Sequence, residues 1–390
     1  MELNARSTSR RQALPSLPTI VGPAVFFLLI SPSVVYANAG TPLMWAGAFH
    51  LLIGNALIGI GEAWVLNRLY RVPLRRTAGI MILANYFSCW LGMFLFDFLA
   101  RRFDGIQFGG NPLYAGLWLT LAGAAASYLL TIVLEWPFCR WVLSKAVVVV
   151  RRPSALRASI TVQTASYLLL ALFYAGCSPI SLYTQADIQQ DLSFVRTPRA
   201  WVYYISPKDG DVWRIRADGT ENERFQSEEL VSRMARLFAD RDAGENNWSL
   251  YAVDGSEEGG NRLITALCAG AVAPRRRPLY DVEPNSWWNF DHGGDQSYRQ
   301  LIPNESENWQ ASTPFWPYTG IVISKDEEDR YRLAMNTPLV SWFTRNEVRL
   351  PQDQVLYQIE DMIVILDMPS RKLGFLTFGR GPVVTLSDEP

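Results

Sequence analysis

The chain has 390 residues, 36 basic against 37 acidic, and a formal net charge of -1. Divided after Cys177, it carries 14 Lys and Arg against 5 Asp and Glu in the first part, and 22 against 32 in the second. That asymmetry excludes one soluble globule, a disordered chain and a collagen-like repeat, and points to two parts in different surroundings.

Residues 1–39 read as a secretory signal peptide. Arg6, Arg10 and Arg11 precede an apolar run from Ile20 to Tyr36, and Ala37-Asn38-Ala39 supplies small residues for cleavage. The alternative is an uncleaved transmembrane helix, and both readings leave the next residues on the same side of the membrane.

Four apolar stretches follow, Leu43–Leu66, Ala78–Ala100, Pro112–Trp136 and Leu156–Cys177. Each is near the roughly 20 residues a helix needs to cross a bilayer. Thr41-Pro42 and Asn111-Pro112 place an N-cap before a proline at the first helical position. Arg68, Arg71, Arg75 and Arg76 fall in one loop, and Arg140, Lys145, Arg151, Arg152 and Arg157 in the next but one. The positive-inside rule puts both in the cytoplasm, against which Arg101 and Arg102 count as an exception. The expectation is a four-helix transmembrane domain over 40–177 and a domain outside the cytoplasm over 178–390, in a plasma or bacterial inner membrane.

Polar side chains at bilayer depth are costly and mark functional positions. They are Glu62, Asn55, Asn85, Gln163, His50 and Asp97, with Glu135 near a helix end. Asn55 and Glu62, seven residues apart, lie within about 20° on a helix, whereas His50 falls off that face. One reading is a proton or ion relay, or a small-ligand pocket. The other is interhelical hydrogen bonding, helped by the small residues Gly54, Gly59 and Gly61.

Cys177 and Cys268 share the oxidising side and are the one candidate disulfide, with two free thiols as the alternative. The metal, nucleotide and hydrolase motifs sought do not occur, so no cofactor or metal is expected and a non-enzyme is favoured. His292, flanked by Asp291 and Asp295, reads as part of a solvated loop before it reads as a general base. Asp209-Gly210-Asp211 reads as a turn, since it lacks the later ligands of a calcium loop.

Beyond Cys177 the pattern becomes β-rich. Trp201–Arg216, Trp248–Leu267, Gly320–Ala334 and Met362–Phe378 each read as strand, turn, strand. They resemble the outer hairpins of β-propeller blades, with a β-sandwich or irregular sheets as the alternative. A helix is expected near 227–239, capped by Ser227 and carrying Leu230, Val231, Met234, Leu237 and Phe238 at helical spacing.

Two loops are rich in aromatics: Trp287 and Trp288 in one, Trp309, Trp316 and Tyr318 in the other. They suit a glycan or an envelope protein partner, or else loop packing and headgroup contact. The acidic charge excludes nucleic acid. The expected function is a membrane-anchored binding or scaffolding module; the alternative is a small transport or proton/ion relay component.

Overall fold

The computed structural model describes residues 41–100, 110–144, 154–228, 230, 235–241, 247–253, 262–269, 300–301, 308–314 and 316–385. The expected signal segment, Trp287, Trp288 and His292 lie outside those residues, as does the side chain of Asp97.

Four helices are each long and apolar enough to cross a membrane. They are α1 Pro42–Tyr70, α2 Leu74–Ala100, α3 Pro112–Leu143 and α4 Ala155–Cys177. Both expected N-caps form. Thr41 Oγ1 accepts the Met44 N–H at 3.2 Å, and Asn111 Oδ1 accepts the Leu113 N–H at 3.0 Å. Within α1, His50–Gly54 is a π-helical turn, which accommodates one residue more than an α turn. Tyr86 of α2 donates its hydroxyl to the Leu52 carbonyl inside that turn. Helices adjacent in sequence pack together, and α4 closes the bundle against α1. Leu52, Phe94, Leu129 and Leu172 project from its outside, where lipid tails are as apolar as they are.

After α4 the chain forms the short helix α5 (Ser181–Gln185) and then strands. These are β1 Asp187–Gln189, β2 Trp201–Ile205, β3 Val212–Arg216, β4 Glu223–Gln226, β5 Arg236–Arg241, β6 Asn247–Val253, β7 Arg262–Ala269 and β8 Gln300–Leu301. There follow β9 Gln310–Ser312, β10 Ile321–Ser324, β11 Arg330–Leu333, β12 Thr344–Leu350, β13 Gln354–Ile359, β14 Met362–Asp367, β15 Lys372–Phe378 and β16 Arg380–Thr385. Two sheets have five strands, in the orders β1-β15-β14-β13-β12 and β4-β3-β2-β16-β8. Two have three, β11-β10-β9 and β5-β6-β7.

The sheets stack in four layers. The β9–β11 sheet packs on the first five-stranded sheet through Ala311, Ile323, Tyr331, Val364 and Leu366. The opposite face of that sheet meets the second one through Val202, Tyr204, Leu356, Ile363 and Ile365. The far side of the second sheet carries Trp201, Tyr203 and Val383 against Leu237 and Leu250 of the β5–β7 sheet. Successive side chains of a strand point to opposite faces. Both central sheets are covered on both faces, which is why β2 and β14 are apolar without alternation.

All four expected strand–turn–strand segments form antiparallel pairs. They do not build propeller blades. β16 enters its sheet between β2 and β8, and β1 pairs in parallel with β15, so the sheets join distant segments of chain. No closed barrel or propeller forms among the described residues, and the face-to-face layers are closer to the sandwich alternative.

The helix expected near 227–239 is replaced, from Arg236 onward, by β5. Leu237 and Ala239 enter the core that Leu250 and Ala252 of β6 help to build, so strand pairing overrides the local helical spacing. The Ser227 hydroxyl and the Glu228 N–H each bond Asp211 Oδ1 at 3.0 Å. The expected disulfide does not form either. Cys177 is a free thiol at the end of α4, whereas Cys268 lies opposite Trp248 in the β5–β7 sheet.

The bundle and the β layers meet at one end of α3. Leu113 is fully buried in the core of the β9–β11 layer, beside Leu182. Tyr183 of α5 donates its hydroxyl to the Leu113 carbonyl at 2.8 Å and stacks on Tyr114 at 6.0 Å between centroids. Six residues beyond Tyr114, Thr120 meets Thr337 at 3.2 Å between hydroxyl oxygens. Gly116 faces the buried Trp342, whose ring would lie 2.6 Å from an added Cβ. Overpacking of this kind costs about 1–3 kcal/mol. Gly116→Ala is therefore expected to lower the unfolding temperature of the full chain in detergent, and Gly116→Ala with Trp342→Phe to recover part of the loss. An unchanged temperature in the single variant would show that the two parts do not dock there.

Candidate functional site

Each of the four long helices sends polar side chains into one buried cluster. α1 supplies Glu62, α2 Asn85 and Ser88, α3 Glu135, and α4 Gln163 and Ser166. Glu135 is wholly buried and Glu62 is 2% exposed. Hydrogen bonds converge on the two carboxylates. Glu62 Oε1 accepts from Ser166 Oγ at 2.7 Å and from Gln163 Nε2 at 3.1 Å, while its Oε2 accepts from Asn85 Nδ2 at 2.6 Å. Glu135 Oε1 accepts from Ser88 Oγ at 2.6 Å, and Oε2 from Gln163 Nε2 at 2.6 Å. One amide nitrogen thus bridges both carboxylates.

The helices bring these groups to one level. Glu62, Glu135 and Gln163 each lie eight residues from Tyr70, Leu143 and Ala155, the ends nearest the arginine-rich loops. At 1.5 Å per residue that is a depth of about 12 Å. Side chains lean toward the N-terminus of their helix, so Glu62 and Asn85, on antiparallel helices, lean toward each other. They meet beside Gly59, whose missing Cβ lets the α2 backbone approach: an added Cβ would lie 2.6 Å from the Ile82 nitrogen.

The chemistry of the cluster follows from its partners. Among the described residues, the hydrogen bonds to the Glu62 and Glu135 oxygens come from neutral amides and hydroxyls, and none from Lys, Arg or His. Two carboxylate charges in an apolar bundle without a basic partner are expensive, and a bound proton or cation offsets them. Among the described residues no three His, Cys, Asp or Glu side chains converge on a metal position. The amide and hydroxyl donors satisfy the carboxylate oxygens, and a proton on either carboxyl group would remove part of the buried charge.

Comparison with protein-family models, curated proteins and solved structures finds no match.

Of the residues expected from sequence, Glu62, Asn85 and Gln163 therefore meet. Asn55 is buried nearer the other end, beside the Cys89 thiol. His50 is also apart: its Nδ1 lies 2.7 Å from the Tyr174 hydroxyl of α4. On a regular helix it would point about 120° away from Glu62; the π turn changes that rotation. Ser88 and Ser166 escaped the sequence reading, although Asn85 and Ser88, like Gln163 and Ser166, share the i, i+3 spacing of one helix face. The aromatic loop does not form a single exposed patch. Trp309 packs edge-on against Tyr331 of the core, Trp316 is half-buried, and Tyr318 is exposed with its ring against Phe343.

The close approach at Gly59 has a built-in control, since an added Cβ at Gly61 meets nothing within 4 Å. Gly59→Ala should lower thermal stability in detergent by about 1–3 kcal/mol, and Gly61→Ala should leave it unchanged or slightly raised. Equal effects would remove the α1–α2 contact as the support of the cluster.

Proposed function

We propose that this is an integral membrane protein whose bundle works as a proton relay, the β layers forming a binding or scaffolding domain on its far end. The observation that carries this reading is the Glu62–Glu135 pair, buried from four sides and bridged by Gln163. Packing alone is served by amide and hydroxyl groups; two carboxylates add a desolvation cost that packing does not need. The arginines beyond the cluster support placing that end in the cytoplasm, and the β domain outside it. An envelope protein or a glycan remains the partner class for the β domain, and the half-buried Trp309 and Trp316 give that part of the reading little support.

The test is proton flux into liposomes carrying the full-length protein, followed with an enclosed pH dye after a pH step. Wild-type vesicles should equilibrate faster than empty ones. Glu62→Gln and Glu135→Gln should each slow them by roughly tenfold or more, as loss of a proton-transfer group does. Flux equal to empty vesicles in the wild type, or unaltered by both substitutions, overturns the proposal.

A further inference from the structure

A second set of titratable side chains occupies the other half of the bundle. From Gln163 onward, Ser166, Tyr167, Leu170, Tyr174 and Cys177 stay within about 60° of one line along α4. Leu170 is the one apolar member of that stripe. The line starts at the amide that bridges Glu62 and Glu135, and it reaches Tyr174 about 16 Å farther along.

At that far station the Tyr174 hydroxyl lies 2.7 Å from His50 Nδ1, with the two rings edge to face at 5.7 Å. Tyr167 stands between the stations, its hydroxyl 2.9 Å from Thr131 Oγ1 of α3. Cys89 of α2 faces Asn55 of α1, and it lies within electrostatic reach of both Tyr167 and Tyr174. Titratable side chains near this station include Cys89 and Tyr86 from α2, the latter bonded to the Leu52 carbonyl, and Cys177 from α4. His50 opens the π turn of α1, a feature that recurs at functional positions in helices.

We infer that this face of α4 is a proton path, joining the Glu62–Glu135 pair to a second station, His50 with Tyr174, in the half of the bundle nearer the β domain. The inference rests on the proposed relay at the carboxylates. His50 suits the outer station because an imidazole changes charge near neutral pH and offers two nitrogens, one to receive a proton while the other releases one. A proton taken up at Nε2 is matched by one passed from Nδ1 to the Tyr174 oxygen. That hydroxyl hands its own proton to water, which carries it past Leu170 toward Tyr167 and the carboxylates. The imidazole is left in its other tautomer, with the ring C=N double bond moved, and a reorientation of the ring resets it, so that one proton moves per cycle.

Two measurements on the full-length protein in liposomes test the path. Tyr174→Phe keeps the ring and removes only the hydroxyl, so it should slow proton flux by about tenfold, and His50→Phe should do the same. In a variant with Cys139, Cys177 and Cys268 replaced by serine, Cys89 should react with a small water-soluble thiosulfonate. If Glu62→Gln abolishes flux while Tyr174→Phe and His50→Phe do not, the carboxylate relay stands and this path falls. If Glu62→Gln also leaves flux unchanged, both fall. An unreactive Cys89 in a folded variant overturns the hydrated path.

Discussion

The Gln163 side chain is the interaction on which the bundle depends. Its amide nitrogen lies 3.1 Å from Glu62 and 2.6 Å from Glu135, so one residue of α4 ties together α1 and α3. Its removal would leave both carboxylates short of a donor in an apolar setting, where an unmet hydrogen bond costs far more than a formed one contributes. The helices must therefore arrive together at the depth of Gln163. Gly59 makes that arrival possible by admitting the α2 backbone, and Asn85 and Ser88 then complete the ring of donors.

The β domain adds a second constraint at the opposite end. Leu113 and Gly116 of α3 are engaged by the core of the β9–β11 layer and by Trp342. The start of α3 is held by a packed core there, and Glu135 stands near its other end. Pro137 lies two residues beyond Glu135, within the same helix. Proline removes one backbone hydrogen bond and bends a helix locally.

The helical half was legible because each span is a long apolar block with its own start signal, and Thr41 and Asn111 cap where their spacing indicates. The hairpins were legible for a similar local reason. Their assembly was not, since β16 completes a sheet begun by β2 and no local pattern records such a pairing. The segment around Leu237 misled because its spacing fits a helix, whereas it pairs as a strand with Asn247–Val253. Within the site, Glu62, Asn85 and Gln163 stood out as polar residues in apolar runs. Ser88 and Ser166 are small and neutral, and did not. His50 lies apart from the carboxylates, in the direction that helical rotation indicates, although the π turn at His50–Gly54 intervenes.

The central claim is that Glu62 and Glu135 form one proton-exchanging unit inside the bundle. Infrared difference spectroscopy of the full-length protein in lipid, recorded across a step in bath pH, addresses it directly. The account predicts a carboxyl stretching band that appears or vanishes with pH and that is shifted by either Glu62→Gln or Glu135→Gln. A spectrum with no pH-dependent carboxyl band, or with one that neither substitution alters, would contradict it.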